Sequence, residues 1–161
     1  MLRVYDLDGT LISTRTANLQ AYRAIGVEPP RDFHQMDWKL WCSEDGHDKK
    51  NEMLPRFLHT LEFLPLWEDY CYHYATADVE EPIILSNISA GAFKFVQDII
   101  QGDYPWFGTG VHIQMDRPKK IEFIKSRTSK GIYYDDSLAT CQAVANIPGW
   151  QAMHVLQEGM R

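Results

Sequence analysis

The sequence opens with LRVYDLDGTLI, residues 2–12, and this stretch decides how the rest of the chain is interpreted. Residues 2–5 are an apolar run with a single arginine, which is typical of a short buried strand. Asp6 and Asp8 follow at once, and the two-residue period of a strand puts both on the same side. Gly9 then lets the backbone leave the strand. Because neighbouring carboxylates repel one another unless a cation or a shared proton intervenes, the stretch predicts a metal site, proton chemistry or both.

Strand and helix patterns alternate along the rest of the chain. The further predicted strands are 83–87, 111–115, 131–134 and 150–156. The predicted helices are 16–25, 48–61, 66–74, a segment beginning after the capping residue Ser89, 119–127 and 138–146. This order predicts an α/β fold, in which a parallel sheet carries helices on both faces.

Residues 14–76 have a different character from the segments before and after them. They mix charged and aromatic side chains, show helical patterns and lack any β alternation. We therefore expect a core domain made of 1–13 and 77–161, with 14–76 as a small helical insert. The aromatic residues that could stack on a substrate or simply pack the insert include Trp38, Trp41, Phe57 and Trp67. Packing is the commoner role at such density.

The length of 161 residues and the composition suit one domain with room for a small appendage. The net charge of −6 argues against general binding to a nucleic-acid backbone. No apolar stretch is long enough to span a bilayer, and no basic segment followed by an apolar one opens the chain, so a cytoplasmic location is expected. Three cysteines are an odd number with no zinc spacing, which predicts reduced thiols.

Polar residues that could take part in catalysis or bind a ligand follow several of the predicted strands. They are Asp6, Asp8, Ser86, Asp135 and Asp136. In open parallel sheets, ligands bind beyond the carboxyl ends of the strands, so one edge of one sheet would gather all five residues. This convergence is the strongest structural expectation that the residues alone support.

Two further pairs admit both a functional and a plain interpretation. Ser86 and Asn87 precede a helix, where a hydroxyl and free N–H groups suit phosphate binding, although the same residues could only cap the helix. Lys119 and Lys120 open a helix, where cations are electrostatically unfavourable, so a functional reason is plausible. The alternative for at least one of these lysines is a solvated surface charge.

The stretch Asp6-Leu7-Asp8-Gly9-Thr10-Leu11 resembles the first signature of the haloacid dehalogenase superfamily in its phosphatase form. The resemblance extends to Ser86, to Lys120 and to Asp135-Asp136, which match the second, third and fourth motifs in order. It implies a haloacid dehalogenase-like Rossmannoid parallel sheet. The position of 14–76 between the first and second motifs matches the helical caps of this superfamily, here in a small form.

The resemblance also implies roles for individual residues in catalysis. Asp6 would attack phosphorus and form an aspartyl-phosphate, and Asp8 would act as general acid and base. Lys120 would neutralise charge on the phosphoryl oxygens. The residues expected to contact the phosphate are Thr10, Ser86, Asn87 and, less closely matched to the motif, Lys119.

A magnesium site is implied by the same resemblance. Mg²⁺ prefers a few hard oxygen ligands and keeps several waters. The Asp6 carboxylate, the Asp8 backbone carbonyl and the Asp136 carboxylate would hold the ion, with Asp135 behind them. One of the two neighbouring acids could instead cap the helix that follows.

The function expected from these motifs is Mg²⁺-dependent hydrolysis of a small phosphate ester, such as a nucleotide. One alternative is a phosphate- or nucleotide-binding module with little turnover, and another is a phosphotransferase. A nucleic-acid end stays open as a substrate, although the net charge of −6 disfavours it. No membrane partner is expected, and the chain would be a monomer or a homodimer.

Overall fold

The computed structural model describes residues 1–76, 80–127 and 130–156. Its strands are β1 (Leu2–Tyr5), β2 (Ile12–Ser13), β3 (Glu62–Phe63), β4 (Ile83–Leu85), β5 (Val111–His112), β6 (Gly131–Asp135) and β7 (Trp150–His154). Its α-helices are α1 (Arg15–Ala24), α2 (Glu44–Met53), α3 (Leu66–Thr76), α4 (Ala90–Gln101), α5 (Arg117–Lys125) and α6 (Leu138–Ala145). None of the helices in this part of the chain has the length and apolar character needed to cross a bilayer.

The main sheet has five parallel strands in the order β5-β4-β1-β6-β7. The opening strand β1 lies at its centre, where Val4 is in register with Ile83 of β4 and with Tyr133 of β6. A central strand is covered on both faces, which explains why Val4 and Tyr5 are both fully buried. The predicted α/β fold with a parallel sheet is confirmed.

Helices cover both faces of this sheet, as predicted. Tyr5 and Ile84 point to one face and pack with Val96 and Ile100 of α4 in a single hydrophobic cluster. Their sequence neighbours point to the opposite face, where the second cluster consists of Leu2, Val4, Leu85, Ile124, Tyr133, Cys141, Val144 and Trp150. The two-residue period of each strand thus supplies both halves of the core.

The insert between β1 and β4 differs from the sequence prediction in two respects. The expected absence of β structure is wrong, because Ile12–Ser13 and Glu62–Phe63 form a short antiparallel pair. The helix expected over 48–61 runs instead over Glu44–Met53, and two 3₁₀ turns, Leu54–Arg56 and Leu58–Thr60, follow it. Two-residue strands are too short to show alternation in a sequence, and Pro55 cannot continue a helix ladder.

Aromatic residues of the insert mostly pack against one another or against the core. Trp67 of α3 is buried in the cluster under the sheet, and Trp41 packs edge-on against Tyr22. Trp38 stacks on the His47 ring with the ring centroids 3.9 Å apart. These contacts agree with the packing role rather than with a free stacking platform.

Helix α3 is tied closely to the core sheet. The Tyr5 hydroxyl of β1 donates a hydrogen bond of 2.7 Å to Asp69 of α3, and the Tyr5 and Tyr70 rings meet edge to face. The expected boundary between insert and core at residues 76 and 77 borders on residues 77–79, which lie outside the described residues. The division into 1–13 and 77–161 against 14–76 therefore stays a prediction.

Candidate active site

Asp6 stands at the carboxyl end of the central strand, where its backbone N–H donates to the Tyr134 carbonyl. Its side chain is 10% exposed, and each carboxylate oxygen has a polar contact. Lys120 Nζ lies 2.8 Å from Asp6 Oδ1, and the Thr10 hydroxyl donates to Asp6 Oδ2 over 3.3 Å. The sharp turn that returns Thr10 to this position passes through Gly9, whose φ of 85° suits glycine.

Lys120 and Asp135 complete a buried charged group around Asp6. Lys120 Nζ lies 3.6 Å from Asp135 Oδ2, so the single ammonium contacts two carboxylates. Asp135 also accepts hydrogen bonds from the Tyr133 hydroxyl and from the Ser137 backbone N–H. These contacts fix the Asp135 carboxylate beside Lys120.

The start of α5 explains which of the two neighbouring lysines reaches Asp6. The helix begins at Arg117 rather than at the predicted Lys119, with Asp116 as its cap and Pro118 in its first turn. Lys120 then faces the sheet and is buried, whereas the exposed Lys119 ammonium lies 3.5 Å from the Gln114 carbonyl. The structure brings Lys120 to the acids and leaves Lys119 outside their contacts.

The electrostatics of this group favour a bound cation. Burial raises the pKa of Asp6 well above its ordinary value, and the Asp135 and Asp136 carboxylates raise it further, while Lys120 opposes them. Burial also raises the pKa of Asp136 to about 6. For Lys120, burial alone would lower the pKa, but the surrounding carboxylates raise it. One ammonium therefore faces three acids, which leaves an excess of negative charge.

Three of these carboxylates could hold a metal ion together. Asp6, Asp135 and Asp136 each offer an oxygen, and the three oxygens lie within 4.8 Å of one another. An all-carboxylate donor set fits Mg²⁺, which prefers hard oxygen ligands. All three carboxylates are therefore candidate ligands among the residues that the structure describes.

Asp8 lies beside this cluster, and its carboxylate turns toward the insert. The Thr14 backbone N–H donates to Asp8 Oδ1 over 3.0 Å, and the Thr14 hydroxyl donates to Asp8 Oδ2 over 2.6 Å. Asn18 donates in turn to Thr14, and the Lys50 ammonium of α2 donates to Asn18 Oδ1 over 2.9 Å. A chain of hydrogen bonds thus links the insert to Asp8.

Sequence reasoning did not find Thr14, Asn18 and Lys50. The run EDGHDKKNE, residues 44–52, reads as a solvated charged helix, yet Lys50 is only 6% exposed. Its partner Asn18 lies 32 positions earlier and carries no motif of its own. Thr14 could have been noticed as a hydroxyl shortly after the acidic signature, but its partner could not.

A cavity of about 720 Å³ opens above these residues, between the insert and α4. Asp6, Asp8, Ser86 and Asn87 line its floor. The Ser86 hydroxyl accepts a hydrogen bond from the Ile88 N–H over 3.2 Å, so its own proton can be donated toward the cavity. The Thr10 hydroxyl donates to Asp6 Oδ2 in this structure, and its contact with phosphate stays a prediction.

Comparisons with known proteins give similarity at the level of structure. No protein-family model matches the sequence, and no curated protein matches it significantly. The chain is similar to CbbY from Rhodobacter sphaeroides in complex with phosphate, with a TM-score of 0.70 and 12% identity over 99% of this chain and 88% of that one.

Two further solved structures agree with this result. One is a haloacid dehalogenase family hydrolase from Deinococcus radiodurans R1 with bound phosphate and sodium, with a TM-score of 0.65 and 14% identity over 99% of this chain and 82% of that one. The other is a hydrolase from Pseudomonas syringae, with a TM-score of 0.65 and 14% identity over 94% of this chain and 82% of that one. Together with the five-stranded parallel sheet, they show that the chain has the fold of the haloacid dehalogenase superfamily.

Proposed function

We propose that the protein is a Mg²⁺-dependent phosphomonoester hydrolase that forms a covalent phosphoryl intermediate on Asp6. The observation that carries the proposal is the meeting of Asp6, Asp135, Asp136 and Lys120 at one sheet edge, beside a cavity lined by Asp6 and Asp8. Two of the similar structures were solved with phosphate, which is the product expected of such a reaction.

Asp6 is the proposed nucleophile. One of its oxygens attacks the phosphorus of the substrate, a new oxygen–phosphorus bond forms, and the bond to the leaving alcohol oxygen breaks. Lys120 and Thr10 contact the two Asp6 oxygens at 2.8 Å and 3.3 Å, and these contacts support a fixed orientation for the attack. Lys120 would also stabilise negative charge on the transferring phosphoryl group.

Asp8 is the proposed general acid and base. It protonates the leaving alcohol in the first half of the reaction, and it takes a proton from the water that attacks the acyl phosphate in the second half. Its two hydrogen bonds from Thr14 support this role, because they fix the direction of the carboxylate at the floor of the cavity. Ser86 and Asn87 are the proposed donors to the phosphate oxygens.

Asp6, Asp136 and the backbone carbonyl of Asp8 are the proposed Mg²⁺ ligands. The bound ion would neutralise negative charge on the phosphoryl oxygens. The insert is proposed as a small cap over the cavity. Because α3 packs on the core, the part of the cap that stands over the site is the segment between β2 and β3, residues 14–61.

The test is release of inorganic phosphate from a generic aryl phosphate by the wild type and by Asp6→Asn. We expect activity that requires Mg²⁺, disappears with a chelator and is lost in Asp6→Asn. Asp98→Asn, at an exposed position on α4, is the matched control and should retain activity. Activity that survives in Asp6→Asn or ignores the chelator would contradict the proposal, and transfer of phosphate to an added sugar in place of release would identify a phosphotransferase.

A further inference from the structure

The cavity above the acids has a wall of clearly apolar character. Its volume of about 720 Å³ lies in the range of small-molecule sites and greatly exceeds what one phosphate group occupies. Above the floor, the insert contributes Leu54, Pro55 and Leu58, and α4 contributes Phe95 and Val96. Phe95 is 45% exposed although it lines the cavity, so a large apolar surface is available to a ligand there.

The charges around the cavity are unfavourable for a second anionic group. Among the described residues, none of those that line the cavity is a lysine or an arginine. The polar lining residues on α1 and α2 are Asn18, His47, Asn51 and Glu52. Burial and the neighbouring Lys50 lower the pKa of His47, so the imidazole is neutral at physiological pH. Glu52 adds a negative charge near the opening.

Lys50 does not add a positive charge to the cavity lining, although it lies close to the polar lining residues. Its ammonium donates to Asn18 and stands 5.0 Å from the centre of the Tyr22 ring, and both contacts hold it below the cavity surface. Within the part of the chain that the structure describes, Lys120 is the cation in contact with Asp6, where it would meet the transferring phosphate. Beyond the phosphate at Asp6, the described lining residues offer no cationic partner for a second dianion.

We infer that the substrate is a monoester with a single phosphate, whose leaving group is an apolar body about the size of an aromatic ring system with a neutral or cationic end. This inference rests on the proposed function, because it takes the phosphate to be bound at Asp6. The apolar body packs between the 3₁₀ turns of the insert and α4, with Phe95 as its main contact. The polar end faces Asn51 and Glu52.

The first experiment varies the apolar size of the leaving group while the acidity of the leaving group stays nearly constant. Phenyl phosphate and 2-naphthyl phosphate have leaving groups of similar acidity, so their kcat/KM ratio reports contact with the cavity wall. We expect 2-naphthyl phosphate to be favoured by roughly tenfold or more. Phe95→Ser should bring the ratio close to one, whereas Ile99→Ser, at a similarly exposed position on the same helix, should leave it unchanged.

The second experiment varies the charge at the far end of the leaving group. Tyramine phosphate and the phosphate ester of 4-hydroxyphenylacetate have the same ring and opposite end charges. The wild type should favour the tyramine ester by several-fold, and Glu52→Lys should reverse the preference. Glu44→Lys, at an exposed position on the same helix and outside the cavity lining, is the matched control and should leave the wild-type preference unchanged.

Failure of this inference can be told apart from failure of the proposed function. Equal kcat/KM values for the two aryl esters, a ratio insensitive to Phe95→Ser, or a preference for bisphosphates would overturn the inference alone. If no ester is hydrolysed, calorimetric titration of phenyl and 2-naphthyl phosphate into the Mg²⁺-loaded protein tests the inference without turnover. Tighter binding of the naphthyl ester would then support the inference although the proposed function fails, and equal or absent binding would overturn both.

Discussion

Lys50 lies at the junction between the insert and the proposed catalytic acids, and replacing it by methionine gives a quantitative test of the structure. Lys50 is 6% exposed, and its ammonium donates to Asn18 and stands over the Tyr22 ring. Burial is the main cause that lowers its pKa from 10.5 to about 8, and the attraction of Asp8 opposes this effect. Methionine has a similar length and no charge, so Lys50→Met removes the titration while keeping most of the packing.

The size of the effect follows from the two pKa values. One pKa unit corresponds to about 1.4 kcal/mol, so keeping Lys50 charged in the folded protein near pH 7 costs roughly 3 kcal/mol of the free energy of unfolding. Between about pH 8 and 10.5 the unfolded chain binds more protons than the folded protein, so wild-type stability rises with pH in this window. About 2 kcal/mol of the cost should be recovered between about pH 7 and pH 9.5.

The assay is urea unfolding of the wild type and of Lys50→Met across this pH range. The stability of the variant minus that of the wild type should fall by about 2 kcal/mol as the pH rises, because other titrations cancel in the difference. Lys49→Met is the matched control, since Lys49 pairs with Asp45 on the exposed side of the same helix, and its difference should stay flat. A flat difference for Lys50→Met would refute the burial of this ammonium.

Two further predictions concern the core and the metal site. Gly131→Ala would place a Cβ atom 2.5 Å from the Trp150 ring and 2.7 Å from a backbone carbonyl oxygen, so unfolding in urea should show a loss of about 3 kcal/mol; a loss below about 1 kcal/mol would contradict the close approach. Saturating Mg²⁺ should raise the wild-type Tm by about 5 °C and leave that of Asp136→Asn nearly unchanged in a thermal melt. An equal rise in both proteins would exclude Asp136 as a ligand.

Much of the fold could be predicted from the sequence because its parallel strands are short, buried and nearly continuous in apolar residues. Asp6 and Asp135 stand at the ends of such strands, so their meeting at one edge follows from the topology of a parallel sheet. Lys120 could be proposed from its place before the strand that carries Asp135. Which of Lys119 and Lys120 reaches the acids depends on the exact start of α5, and Asp116 and Pro118 set that start.

The insert was harder to predict, for identifiable physical reasons. Its β2–β3 pair has two residues in each strand, too few for a period to be visible. Lys50 reads as a surface residue because helix α2 is charged on most of its circumference, and only tertiary contact with Asn18 buries it. The cavity walls join α4 to turns some 40 positions earlier in the chain, a proximity that no local pattern contains.

The central claim is that Asp6 carries the phosphoryl group during turnover, and it can be tested directly with Asp8→Asn. In that variant the water that releases phosphate lacks its base, whereas a good leaving group such as p-nitrophenolate needs little protonation to depart. After acid quenching, mass spectrometry should find the added phosphoryl mass on the peptide that contains Asp6, and hydroxylamine should remove it. A peptide without this mass during active turnover, or the mass on another residue, would contradict the account.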